Sequence, residues 1–281
     1  MSESIPKQLL VVDDDSSMHE LVNAMLAGTE WRITGVSSGE EALKRLETHP
    51  YDLLLTDILM PGMDGLTLLA RVRALNPKVR VVAMTIKNTP EHVMGSLRHE
   101  AAGYVTKPFT RNALLQALRE ASETPLDQGD IKVLSDNPQW ISLQIRCKLA
   151  TAERLTQFVR ELASELNPEE RENVAIAFRE LLINAIEHGG HLDPQQVVDM
   201  SYIHTARTIV YYIRDPGEGF SRDKLQHAAG DDFTEQPMRH IDLREQLGLR
   251  PGGFGMLMAK KFADEVIYSA KGNEVLLIKY L

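Results

Sequence analysis

Residues 177–190 read AFRELLINAIEHGG, and within them Glu180, Asn184 and His188 recur at every fourth position. At about 100° per residue such positions project from nearly one side of a helix, so a carboxylate, an amide and an imidazole line a single face. Val174, Phe178, Leu181, Leu182 and Ala185 form the other, apolar stripe. That stripe docks a helix on a sheet and leaves the polar face free to hold a charged ligand. Asp215-Pro-Gly217-Glu-Gly219 and Gly253-Phe-Gly255 follow downstream, an order that points to a nucleotide pocket.

Each position suggests its own chemistry. Asp215 closes the strand-like run TIVYYIRD, and its carboxylate can accept a hydrogen bond from the adenine amino group. Gly217 and Gly219 let the backbone pass close to a nucleotide, and Gly253 and Gly255 do the same beside the phosphates at a helix start. Asn184 offers a neutral oxygen to Mg²⁺, a hard ion that bridges phosphate oxygens. His188 has two readings: a phosphate contact, or a helix C-terminal histidine favoured by the macrodipole beside the Gly189-Gly190 stop.

The order of these stretches resembles the N, G1 and G2 boxes of the GHKL ATPase superfamily, and within it most nearly the anti-sigma-factor serine kinases. ELLINAIEHG, DPGEGF, GGFGM and ADEV carry the resemblance, which covers residues 141–281. It implies an α/β sandwich of the Bergerat type that binds ATP and Mg²⁺ through Asn184, His188, Asp215, Gly217, Gly219, Gly253 and Gly255. It also implies that Glu180 is a general base on an acceptor hydroxyl; a partner that positions water and metal is the other role open to it. Residues 220–252 would form a lid, with Arg250 near the place of a lid arginine, although its register is one residue off. Asn273 stands where the family usually has a threonine near the adenine.

The first 120 or so residues carry a second pattern. The apolar run LLVV at 9–12 ends in Asp13, Asp14 and Asp15, and YDLLLTD ends at Asp57. Acidic groups converging at the carboxyl edge of a parallel sheet repel one another unless a divalent cation lies between them, and Mg²⁺ suits an all-oxygen set. VVAMT ends at Thr85 and GYVTKPF carries Lys107, so a hydroxyl and an ammonium are available for a phosphoryl group. The Lys107-Pro108 bond is a candidate for the cis form. Asp13, Asp14, Asp57, Thr85, Tyr104 and Lys107 together resemble the receiver domain of two-component response regulators over residues 7–122. The resemblance implies a doubly wound (βα)5 fold with a parallel sheet. In it Asp57 accepts phosphate from a sensor histidine kinase, and Asp13, Asp14 and Asp57 hold Mg²⁺. Lys107 and Thr85 read the phosphoryl group, and Thr85 and Tyr104 act as the switch. Ile86 departs from the small residue usual after the threonine, and its bulk would restrict access to the phosphoaspartate.

With 281 residues and 43% hydrophobic content, the chain can fill two cores. The expected organisation is a receiver at 1–122, a polar linker at 123–138 without helical periodicity, and the ATP-binding domain at 139–281. Asn167 and Pro168 mark a helix start ahead of the quoted stretch. A formal charge of −9 argues against a nucleic-acid-binding output. Cys147 is the lone cysteine and reads as a core thiol. No run approaches a membrane span and the amino terminus lacks an apolar leader, so a bacterial, cytoplasmic protein is expected, without membrane or nucleic-acid partners. No histidine lies in a histidine-kinase phosphoacceptor setting.

The reading that results is a response regulator whose aspartyl phosphorylation controls an anti-sigma-factor-like serine/threonine kinase. Its substrate would be a STAS-type anti-anti-sigma protein, with a sigma factor as second partner and a homodimer also allowed. The rival is a module in which ATP sets the lid conformation and the output is partner sequestration without phosphotransfer. A third reading, a detached histidine-kinase catalytic domain, fits the boxes less well.

Overall fold

Runs of Leu and Val without polar interruption mark strands buried on both faces, and residues 9–12 and 53–55 are such runs, each fully buried. The computed structural model describes residues 6–86, 89–123, 129–219 and 255–281. The chain divides into two units, Met1–Gly129 and Asp130–Leu281. In the first, β1 (Lys7–Val12), β2 (Trp31–Val36), β3 (Leu53–Asp57), β4 (Arg80–Thr85) and β5 (Gly103–Thr106) form one sheet in the order β2-β1-β3-β4-β5. All its pairings are parallel. The helices α1 (Ser16–Leu26), α2 (Gly39–Thr48), α3 (Gly65–Leu75), α4 (Pro90–Arg98) and α5 (Arg111–Glu123) alternate with the strands. Side-chain caps from Asp15, Ser38, Asp64 and Thr89 start the first four helices. Strand order reverses beside β1, so the carboxyl ends of β1 and β3 open on one crevice, where such sheets hold ligands.

The second unit is a six-stranded antiparallel sheet in the order β10-β11-β9-β8-β7-β6. Its strands are β6 (Ile131–Asn137), β7 (Trp140–Arg146), β8 (Val197–His204), β9 (Thr208–Arg214), β10 (Glu265–Tyr268) and β11 (Glu274–Tyr280). α6 (Leu149–Leu162), α7 (Pro168–Asn184) and α8 (Gly255–Phe262) complete it. Alternation sorts the faces: Val198, Met200 and Tyr202 of β8 and Ile209, Tyr211 and Ile213 of β9 are buried while their neighbours are more open. Phe178 of α7 packs tilted against Tyr211 at 5.3 Å between ring centroids, and Tyr202 lies 5.4 Å from Tyr211, also tilted. All five residues of the predicted apolar stripe are buried, and Asn167 caps α7 by accepting from Glu170 N–H.

Three features depart from the sequence expectation. Residues 131–137, part of the presumed linker, form strand β6 on β7, with a bulge between Val133 and Ser135 that leaves Leu134 half exposed. That bulge interrupts the alternation by which a strand is recognised. β10 was visible only as the ADEV box. The N-box helix also does not run on as an α-helix: Ala185–Gly189 is a π-turn, closed by Gly190 N–H on Ala185 O at 2.9 Å. His188 falls inside this π-turn and is exposed.

Candidate functional site

In the first unit three strand ends supply the charged groups. Asp13 follows β1, Asp57 ends β3 and Lys107 follows β5; all three are buried, while Asp14 is exposed. One carboxylate oxygen from each of Asp13, Asp14 and Asp57 lies within 4.8 Å of the other two. Lys107 Nζ donates to Asp13 Oδ2 at 2.6 Å and to Asp57 Oδ2 at 2.5 Å. The remaining oxygens are also occupied: Asp13 Oδ1 accepts Asp15 N–H at 3.0 Å and Asp57 Oδ1 accepts Leu59 N–H at 2.9 Å. Burial works against the Lys107 ammonium, but hydrogen bonds to Asp13 and Asp57 and their charges outweigh it and hold its pKa above the ordinary lysine value. The ammonium thus offsets one of the two negative charges buried side by side and bridges both carboxylates. An all-oxygen set of this kind also suits Mg²⁺, with Asp14 as the solvent-facing member.

The surroundings hold this cluster in place. Lys107 N–H donates to Thr85 O at 2.8 Å, and the Lys107-Pro108 peptide is cis, as expected. Thr85 and Tyr104 are buried. A Cβ on Gly65 would overlap the main-chain oxygen of Asp57, so the start of α3 closes directly on Asp57. Ile86 is 70% exposed, so its bulk faces solvent rather than the core.

The second unit builds the other cluster at the carboxyl end of α7. Asp215 follows β9; its N–H donates to Asn273 O at 3.0 Å, and its own main-chain O accepts Asn273 Nδ2 at 3.4 Å. Asn273 is buried, so the unusual residue pins Asp215 from both sides. Asp215 Oδ1 accepts Gly217 N–H at 2.8 Å. Burial raises the Asp215 pKa above the ordinary aspartate value, against the opposing Gly217 hydrogen bond and the charge of Lys271. A Cβ on Gly217 would lie 2.8 Å from Asp215 Oδ1 and 3.0 Å from Gly189 Cα, and one on Gly189 would overlap the Asp215 side chain. Gly219 has φ 82°, and a Cβ there would overlap Lys271 O. Lys271 Nζ reaches Gly217 O at 3.4 Å.

Glu180 and Asn184 lie on the last turns of α7, both partly exposed. Glu180 Oε1 accepts Arg179 Nη1 at 2.9 Å, and Arg179 is clamped on its other edge by Glu153, with Nε to Oε2 at 2.8 Å. Gly255 opens α8; Arg250, Gly253 and the segment 220–252 expected to form a lid lie outside the described residues. Sequence reasoning missed Gly189, Lys271 and the Arg179 clamp. The Gly189-Gly190 pair was the available signal for the first, read there only as a helix stop. Cys147 is buried as expected, and its thiol is pushed up to about 11, first by burial and then by the charges of Asp193 and Asp215. Among the described residues no helix is long and apolar enough to cross a membrane.

Comparison with known proteins follows the same division. Residues 9–119 match the family described as response regulator receiver domain, and residues 145–279 that described as histidine kinase-like ATPase domain. The transcriptional regulatory protein ZraR of Escherichia coli K12 is 34% identical over 113 residues, 40% of this chain and 26% of ZraR. The transcriptional regulatory protein DltR of Streptococcus agalactiae serotype III is 30% identical over 155 residues, 53% of this chain and 69% of DltR. Among solved structures, a putative response regulator from Chloroflexus aurantiacus is 30% identical with a TM-score of 0.40, covering 42% of this chain and 98% of that one.

Proposed function

From the premise that this chain belongs to the response regulators, with a receiver domain followed by a histidine kinase-like ATPase domain, we propose that phosphoryl transfer to Asp57 controls an ATP-dependent serine/threonine kinase acting on a STAS-type anti-anti-sigma protein. The phosphodonor is a sensor histidine kinase. Asp13, Asp14 and Asp57 would hold Mg²⁺, which would supply charge neutralisation for phosphoryl oxygens. Lys107 then exchanges its Asp57 contact for the phosphoryl group, and Thr85 and Tyr104 respond to it. In the second domain Asp215 reads the adenine amino group, Asn184 would hold Mg²⁺, and Glu180 takes the proton of the acceptor hydroxyl.

The observation that supports this reading best is the pairing on one chain of the Lys107-bridged Asp13 and Asp57 with an Asp215 carboxylate packed between Gly189 and Gly217. One feature favours the second reading, ATP-dependent sequestration without phosphotransfer. Glu180 is already engaged by Arg179, so an acceptor proton has to compete with a guanidinium for Oε1.

The test uses the full chain, labelled ATP and a STAS-domain protein, with the receiver phosphorylated by acetyl phosphate or left unmodified. Wild type is expected to label the partner, Glu180→Gln to do so about 10²–10⁴-fold more slowly while still binding ATP, and Asp57→Ala to lose the dependence on acetyl phosphate. Partner binding that depends on ATP but transfers no phosphate in either receiver state rejects the kinase and leaves sequestration.

A further inference from the structure

Glutamate is a poor residue for the place Glu100 occupies. α4 ends in a Schellman turn: Glu100 N–H donates to Leu97 O at 3.0 Å and Ala101 N–H to Ser96 O at 2.9 Å. The residue between them must take a left-handed conformation, which glycine adopts freely and a side chain with a Cβ resists. Glu100 takes it all the same, with φ 60°. A residue held in an unfavourable conformation directs attention to what its side chain supplies.

That side chain ties three segments together. Glu100 Oε1 accepts the N–H of Gly129 at 2.8 Å. Arg73 Nη2, from the last turn of α3, donates to Glu100 O at 2.9 Å and lies 3.7 Å from Glu100 Oε2, while Arg73 Nη1 holds Pro77 O at 2.9 Å. Gly129 is the last residue of the first unit, and the next peptide bond enters the second. Asp130 is itself fixed: its O accepts Arg146 N–H at 2.8 Å and its carboxylate accepts Lys148 Nζ at 2.9 Å. Gly129 has φ 78° with nothing within 4 Å of where a Cβ would stand, so glycine there serves the backbone turn alone.

Both helices that meet at Glu100 begin at the phosphoryl edge. α3 starts at Gly65, closed on the Asp57 carbonyl, and α4 follows the strand that ends at Thr85. We propose that Glu100 is the coupling residue of this regulator: its carboxylate, held by Arg73, grips the Gly129 amide and passes displacements of α3 and α4 to the chain where it enters the ATPase unit. This rests on the reading that phosphoryl transfer at Asp57 governs the output. Glu100 touches neither site; it acts by positioning the connector.

Glu100→Gly is the decisive variant, because it removes the carboxylate and at the same time relieves the left-handed backbone, so loss of folding does not confound it. Glu100→Gln keeps an acceptor oxygen for Gly129 and serves as the conservative control. Full-length proteins are compared with and without beryllofluoride and Mg²⁺, reading hydrogen exchange of the peptide spanning residues 129–131 and affinity for ATP; acetyl phosphate labelling of Asp57 is followed by intact mass. Wild type is expected to change exchange at 129–131 several-fold on beryllofluoride addition. Glu100→Gly is expected to exchange fast in both states and to lose any beryllofluoride effect on ATP affinity, with Asp57 labelling unchanged, and Glu100→Gln to retain most of the wild-type response. A Glu100→Gly protein that keeps the wild-type response overturns the proposal, as does a labelled wild type whose 129–131 exchange ignores the receiver state. Failure of wild-type Asp57 to label removes the functional reading itself, which separates the two.

Discussion

Adding one methyl group at Gly217 tests whether Asp215 is placed as the adenine reader. The new Cβ would lie 2.8 Å from Asp215 Oδ1, 3.0 Å from Gly189 Cα and 3.1 Å from Gly189 O. Ordinary contact needs about 3.4 Å or more, so the carboxylate must retreat by roughly half an ångström. It cannot do so freely. Its Oδ1 is bonded to Gly217 N–H at 2.8 Å, and Asn273 pins the Asp215 backbone through its own O at 3.0 Å and Nδ2 at 3.4 Å. A retreat of that size stretches the Gly217 bond toward the limit at which a hydrogen bond ceases to count. Losing good geometry at one buried polar contact costs about 1 kcal/mol, or roughly fivefold in ATP affinity. Gly189→Ala is more severe, since its Cβ overlaps Cβ, Cγ and Oδ1 of Asp215 alike. Overpacking of that kind costs about 1–3 kcal/mol, and ATP affinity should fall by about 5–150-fold. Calorimetric titration of ATP with Mg²⁺ measures both, alongside unfolding without nucleotide. Wild-type affinity in Gly189→Ala, or a larger loss in Gly217→Ala than in Gly189→Ala, would refute the argument that these glycines set the Asp215 position.

Asp215→Asn should weaken ATP binding by about 1–3 kcal/mol yet leave the nucleotide-free protein at least as stable as wild type at neutral pH. The sign follows from burial: a carboxyl whose folded pKa is raised opposes folding once ionised, and that penalty disappears as pH falls through the raised value. Thermal melts from pH 7 downward should therefore show the advantage of the Asn variant shrinking. A variant less stable than wild type at pH 7 speaks against it. Lys107→Ala should destabilise by about 3–5 kcal/mol, because Asp13 and Asp57 are left as uncompensated buried charges, and Mg²⁺ should raise its melting temperature more than that of wild type. As the Lys107 pKa is raised, its contribution is complete below the ordinary lysine value of about 10.4 and is lost as pH climbs through the raised one. Equal melts for variant and wild type without Mg²⁺, or no Mg²⁺ response, count against the cluster as described.

The strands that end in charged or hydroxyl groups were legible because a buried Leu/Val run bounded by Asp13, Asp57, Thr85 or Lys107 admits few other readings. α7 was legible for the same kind of reason, with a 3.6-residue stripe, an Asn167 cap and a Pro168 start all agreeing. Packing exceptions were not. The bulge at Leu134 breaks the period of β6, and the π-turn at Ala185–Gly189 leaves no trace in composition. Gly189 looked like punctuation because its neighbour, Asp215, is 26 residues away in sequence, and only tertiary contact shows what the missing Cβ makes room for. Glu100 carried no signal, since a left-handed glutamate has the composition of any other.

Strand β6 also has a bearing on aggregation. It pairs with β7 on one side and forms the outer strand of its sheet, so its backbone shields the row of amides and carbonyls along β7. Its tolerance of that position comes from Lys132, Asp136 and the bulge at Leu134, features that blunt further pairing. β7 has only Arg146 at its far end: Ile141, Leu143 and Ile145 alternate along it without interruption, and Trp140 stands 59% exposed at its start. A chain shortened to begin at residue 139 would leave this apolar, regular strand as the sheet edge, a template for adding strands from other copies.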